Sequence, residues 1–346
     1  MFKNKKVLLA LGCVLFLLAA TFFISGGGDN GQDQGPQPRT IIWATAPLGG
    51  AAFVVVSAIA SVVERHEPGL RITVQATQGS DENPRLMRDR RIDICHTTSA
   101  NDAFTASGAF TGEPPVSSLQ TLFSMYSNEQ FICVLYDSHI RTMEDLVGAR
   151  IVTGPPGSGG HQMAMGILEA YDLADRVRII NLGYPEGADA LKDGTVDALS
   201  LFTSGSIAPA ALAQLDQSAN IRLIPMDQSI LRRSFERYPD LGPTVNRRGS
   251  LRALPDEDFH GLGTFSIQYA DERMSEETAY LLLKTIFENL EELITYHRLT
   301  ENITLDTALE GASKQIPVHP GAARFFKEKG VWIDGFTVGT TAPNAR

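Results

Sequence analysis

Two rhythms of apolar and polar positions run along this chain, and most changes of rhythm fall on clusters of Gly, Pro, Ser or Thr. Short apolar runs predict strands over 41–44, 71–76, 92–95, 130–136, 150–153, 176–182 and 265–269. Between them apolar residues recur every three or four positions. That spacing predicts helices over 51–65, 81–90, 143–148, 161–171, 186–192, 275–297 and 320–329. In the first helix Phe53, Val56, Ala60 and Val63 share a face, and Pro68-Gly69 ends it. Ser80 is the expected N-cap of the second. Pro84 fits its first turn, where backbone N–H groups lack helical partners. Over 275–297 the stripe Tyr280, Leu283, Phe287, Leu290 and Ile294 reads as core.

Strand, helix, strand, helix in this order implies parallel pairing through right-handed crossovers. A short internal echo adds a second feature. Residues 86–94 (LMRDRRIDI) resemble residues 190–198 (ALKDGTVDA), and each reads as a helix end, a turn, then a strand that opens on Asp. Two lobes of about 100–150 residues each are therefore expected. The segment 130–136 would cross from one lobe to the other, and 265–269 would return. The lobes are assigned to 40–133 plus 262–346 and to 134–261.

The N-terminus departs from the globular pattern. Lys3, Lys5 and Lys6 precede an uncharged apolar run from Val7 to Ile24, and Ser25-Gly26-Gly27-Gly28 follows. Residues 1–25 therefore read as a signal peptide or a retained membrane anchor, and 26–39 as a flexible linker. Either reading places the remainder in the periplasm, free or tethered to the inner membrane. The net charge of −10 moves to −13 without the first 27 residues, which argues against nucleic acid and anionic membranes as partners. Cys95 and Cys133 both lie in apolar runs, where either a disulfide or two buried free thiols would fit.

Candidate chemistry concentrates in Gly154-Pro155-Pro156-Gly157-Ser158-Gly159-Gly160, between a strand and a helix. Such a turn presents unpaired N–H groups at the positive end of a helix dipole, which suits an anion. It lacks the Lys-Ser/Thr pair of a phosphate-binding loop, and Gln162 stands where a dinucleotide fold needs its third glycine. Two readings remain: a cradle for a small carboxylate, or a plain strand-to-helix turn. Enzyme signatures are missing from the sequence. It has no G-x-S-x-G elbow and no H-E-x-x-H pair, and its seven histidines are scattered without metal spacing. The chain is read as a non-enzyme, without cofactor or metal.

Several segments resemble the TAXI branch of the extracytoplasmic solute-binding proteins that serve TRAP (tripartite ATP-independent periplasmic) transporters. The most specific is LVGARIVT followed by GPPGSG, residues 146–159. In the same order stand ATQGS with Asn83, ADALKDG with Asp197-Ala198, residues 305–311, and HPGA leading to Phe326 and Lys329-Gly330. The resemblance covers 41–330. It implies an α/β, two-lobed periplasmic-binding-protein-like fold of type II, with parallel-sheet lobes joined by crossover strands. It also implies capture of a small organic acid, glutamate-like or a dicarboxylate, for delivery by a monomeric protein to a TRAP-type membrane permease. A periplasmic sensor or adaptor on the same fold, delivering to a receptor, is the alternative. The pocket segments depart from the family pattern at Gly50-Ala51-Ala52-Phe53, at His96-Thr97-Thr98-Ser99-Ala100-Asn101 and at 201–206.

Ligands of doubly wound lobes sit at the carboxyl ends of parallel strands. The expected binding residues are therefore Thr45, Gly50, Phe53, Gln78, Ser80, Asn83, Gly157, Ser158, Gly159, His161, Tyr184 and Thr203. Ser80 and Ser158 could equally be helix caps, and Phe53 and Tyr184 could equally be core. Gln78 is the clearest contact by type, since glutamine caps poorly. His161 opens a helix, so it would act neutral or be incidental. His96 could reach the cleft from the end of its strand. Arg232, Arg233 and Arg237 read as a solvated helix face, while Arg247 and Arg248 read as a loop that could meet a permease.

Overall fold

The computed structural model describes residues 38–345 apart from 49 and 255. Residues 1–25, expected to be a signal peptide or anchor, and nearly all of the expected linker 26–39 lie outside the described residues. Arg39 already opens the first strand. The chain runs β1 (Arg39–Ala44), α1 (Ala51–His66), β2 (Leu70–Gln75), α2 (Glu82–Arg88), β3 (Ile94–Thr97) and α3 (Ala100–Thr105), then the long β4 (Leu119–Leu135). The middle holds β5 (Arg150–Val152), α4 (Gly159–Ala170), β6 (Arg178–Ile180), α5 (Tyr184–Lys192), β7 (Ala198–Ser204), α6 (Ala210–Ser218) and β8 (Ile221–Leu223). After α7 (Gln228–Arg237) and β9 (Gly242–Asn246), the long β10 (Phe259–Asp271) leads back. The chain closes through α8 (Glu276–Glu288), α9 (Leu290–Tyr296) and α10 (Pro320–Glu328).

One sheet carries the order β2-β1-β3-β10-β4-β7-β5-β6, with β8 on β4 and β9 on β10. It is a single pattern used twice. β1 pairs in parallel with β2 and β3, and β5 pairs in parallel with β6 and β7. Each parallel trio is bordered by a long antiparallel strand, β10 beside β3 and β4 beside β7. Two lobes are therefore present with mixed rather than purely parallel sheets, because each trio ends against one antiparallel crossover strand, and the two crossover strands pair with each other. The predicted 130–136 and 265–269 runs are parts of β4 and β10, which pair with one another from Leu262↔Gln130 to Asp271↔Leu119. Core packing follows the same division. One cluster joins Trp43, Ile59, Phe123, Phe287 and Phe326, while another joins Ile132, Ile151, Ile167 and Ile224.

The internal echo is a repeated piece of geometry. Asp93 and Asp197 open equivalent strands, and each carboxylate accepts the backbone N–H of the neighbouring parallel strand, Ile42 at 2.8 Å and Arg150 at 2.7 Å. The preceding turns match as well, with φ of 58° at Arg90 and 69° at Gly194.

Two local expectations are corrected and one open alternative is decided. The 275–297 helix breaks at Asn289, whose φ is −123°. Its Nδ2 donates to the Thr285 carbonyl at 2.8 Å, so a side chain takes over a helical acceptor. Beyond the break Ile294 is 40% exposed rather than core. Ser80 does not cap α2, because Asp81 holds that position and the Ser80 hydroxyl bonds Thr98 instead. Cys95 and Cys133 are free and buried, on β3 and β4, and burial pushes the Cys133 thiol up to about 12. Among the described residues no helix is long and apolar enough to cross a membrane.

Candidate functional site

The loops after β2 and β3 meet the loop after β5, because these strands present their carboxyl ends to the same place. Contact is direct. The Asp81 backbone N–H donates to the Gly157 carbonyl at 3.1 Å. A Cβ on Gly159 would fall 2.6 Å from Thr98 Oγ1 and 3.1 Å from Ser80 Oγ, so only glycine allows this approach. Gly157 has φ of +77°, the left-handed region that the turn requires. Ser80, Ser158, Gly157 and Gly159, chosen from sequence, are thus brought together.

Ser158 is a cap. Its Oγ accepts the His161 N–H at 3.2 Å and donates to the Pro155 carbonyl at 2.7 Å. His161 Nδ1 lies 3.0 Å from Thr153 Oγ1, and burial lowers its pKa, which keeps the ring neutral. Tyr184 stands behind the turn, edge-on to Phe202 with ring centroids 5.5 Å apart. Burial pushes its phenol up to about 12. A Cβ on Gly160 would meet this hydroxyl at 2.6 Å, so Tyr184 and Phe202 form the wall on which the turn rests.

The other side is a mesh of short side chains. Asn83 Nδ2 donates to the carbonyls of Thr45 at 2.6 Å and His96 at 2.7 Å, tying the ends of β1 and β3 to α2. Its buried Oδ1 has no partner among the described residues. The Thr45 hydroxyl is spent on the Gln75 carbonyl at 3.0 Å. Thr97 and Ser99 hydroxyls both donate to the Ser80 carbonyl, at 2.8 and 3.1 Å. Gly50 begins α1, with its N–H on Pro47, and Phe53 is half-buried one turn later. Gln78 is exposed, and its side-chain amide makes no hydrogen bond among the described residues.

Thr203 lies apart from the turn, on β7 against the crossover. Its Oγ1 donates to Glu129 Oε2 at 2.6 Å and accepts from Asn246 Nδ2 at 2.9 Å. Glu129 is buried on β4 and also accepts from Ser127 Oγ and the Ser206 N–H. Burial raises its pKa. His96 turns away from the cleft toward Gln268 Nε2 at 3.2 Å, and burial lowers it to about 4. Thr98 and Glu129 were missed from sequence, since nothing local marks a threonine or a strand glutamate as facing a distant loop. Arg233 and Arg237 pair with Asp172 and Glu169, while Arg232, Arg247 and Arg248 are exposed.

The loops 45–50, 76–81, 97–99, 153–161 and 203–206 contain no Lys or Arg, and Asp81 is their one acid. Hydroxyls, backbone N–H groups, the Gln78 amide and the neutral His161 ring make up the donor set. Such a set holds an anion by several short bonds and a helix dipole rather than by an ion pair. Among the described residues no group of three or more His, Cys, Asp or Glu side chains could hold a metal ion.

Comparison with known proteins places this geometry in a family. The NMT1-like family matches residues 43–330. A Xanthomonas citri protein solved bound to ATP shares the fold at TM-score 0.52 and 11% identity, over 84% of this chain and 96% of that one. Weaker likenesses include a putative L-cystine ABC transporter protein of Listeria monocytogenes, with TM-score 0.48, 12% identity and coverage of 76% and 94%. An alkanesulfonate-binding protein of Xanthomonas axonopodis pv. citri bound to MOPS gives TM-score 0.48 at 15% identity, with coverage of 87% and 97%. The chain belongs to the NMT1-like family and has the two-lobed, periplasmic-binding-protein-like α/β fold.

Proposed function

We propose that this protein is an extracytoplasmic solute-binding protein that closes its two lobes, 40–133 plus 262–346 and 134–261, around one small organic acid. The ligand is a glutamate-like amino acid or a dicarboxylate, and the recipient is a TRAP-type permease. One observation carries the reading. The glycine-rich turn opening α4 faces the Ser80 and Thr98 hydroxyls across the lobes, with no Lys or Arg in the surrounding loops. Neutral donors suit a cargo that must be released. Micromolar affinity, about 8 kcal/mol, is within reach of several such bonds.

Gly157 and Gly159 supply the close approach, Ser158 orients the first turn of α4, and Tyr184 backs it. Gln78, exposed at the rim, is the side chain free to reach a ligand. Thr45 and Asn83 hold the loops in register. Thermal shift of the purified protein against organic acids, amino acids, sugars and nucleotides tests the assignment. A ligand at 100 times its dissociation constant stabilises by about 2.7 kcal/mol. The expected result is a rise in melting temperature with a carboxylate. A rise with ATP or sugars alone would overturn it.

A further inference from the structure

Capture at the glycine turn leaves a second contact between the lobes without a role. Asp240 lies between α7 and β9 in the second lobe, and its carboxylate reaches α3 in the first. It accepts the Asn101 backbone N–H at 3.0 Å and the Asn101 side-chain amide at 2.8 Å. These residues are 139 positions apart. Asn101 stands two positions after Ser99, past the Thr97 and Ser99 hydroxyls that buttress Ser80, so the contact stands beside the proposed ligand site and not within it.

We propose that Asp240 is a positioning residue for capture: its carboxyl group latches the closed lobes together through Asn101 and lets go when they part. The inference rests on the two-lobed closure proposed above. Asp240 is half-buried, and the charges around it do not neutralise it. Asp102 on α3 repels it, and Tyr269 faces it from β10. On its own segment Arg237 is engaged by Glu169 of α4 at 3.2 Å, and the Tyr238 hydroxyl donates to the same Glu169 at 2.8 Å. Burial, then the Asp102 charge, push Asp240 up to about 7 against the Asn101 hydrogen bonds, which pull it down. In an open form the group returns to water and to the ordinary carboxylate value near 4. The closed form therefore holds the proton more tightly than the open form. Closure is favoured in acid, weakens as pH rises from about 4 through about 7, and is level above that.

Spin labels on exposed positions of α1 and α6, Ser61→Cys and Gln217→Cys in a Cys13→Ser background, report the separation of the lobes in the ligand-free protein. The wild type is expected to show two distances, with the shorter more populated at pH 5 than at pH 8. Asp240→Ala raises the open-to-closed ratio about tenfold or more at pH 5, the weight of its two lost hydrogen bonds to Asn101. Asp240→Asn keeps an acceptor oxygen for Asn101 but cannot ionise, so its ratio is the same at both pH values. If Asp240→Ala and wild type share one distribution while the wild type has two populations, the latch is refuted and capture stands. A single unchanging distance in the wild type refutes the latch and lobe closure together.

Discussion

Asn83 holds other residues of the candidate site in place. Its amide carries the carbonyls of Thr45 and His96 at 2.6 and 2.7 Å and so ties the ends of β1 and β3 to α2. Asn83→Ala would leave both carbonyls short of a donor in a buried setting, a cost of about 1–3 kcal/mol. Calorimetry should record a melting temperature several degrees lower, and an unchanged value would mean that water substitutes for the amide. Asn83 and Ser158 were legible as polar residues at helix starts. Their roles were legible only in part, since a side chain that can cap and a side chain that can bind are the same residue type. Ser80 illustrates the limit. Its hydroxyl has a partner, Thr98 at 2.8 Å, from the loop after β3, and no local pattern distinguishes that from a cap.

At the scale of elements, the two long strands are where the chain tolerates least change. A Cβ on Gly263 would fall 1.9 Å from the Asn128 carbonyl, whereas one on Gly242, directly opposite on β9, would meet nothing within 4 Å. Gly263→Ala must push β4 and β10 apart, because backbone cannot rotate out of the way as a side chain can. A loss of about 3 kcal/mol or more is expected, with Gly242→Ala close to neutral. Urea titration of the pair measures the difference directly, and equal stabilities would show that the crossover is loose. Helices α1, α2, α5 and α10 were visible as apolar periodicity and glycine or proline punctuation. The break at Asn289 was not, because the apolar stripe continues through it while a single amide redirects the backbone.

For the molecule as a whole, the repeated β2-β1-β3 and β6-β5-β7 trios make two half-cores that share one sheet. Cys95 and Cys133 sit one in each of two separate apolar clusters, both fully buried, with thiol pKa values raised by burial. Neither should react with a thiol reagent under native conditions at neutral pH, and both should react in urea, as peptide mapping would record. Rapid native modification of either would mean that its lobe opens far more than this packing allows. The sequence alone determined the alternation of strands and helices, the doubling of the pattern, the glycine turn and the absence of cationic side chains around it. All of these are local in the chain, written in spacing and residue type. Tertiary structure decided the rest. It paired β4 and β10 into one crossover, set Thr98 against Gly159, turned His96 inward to Gln268, and carried Asp240 across to Asn101. Each of these joins residues far apart in sequence. Their meeting depends on where strands end in space, which is fixed by the packing of the whole sheet and by no single segment.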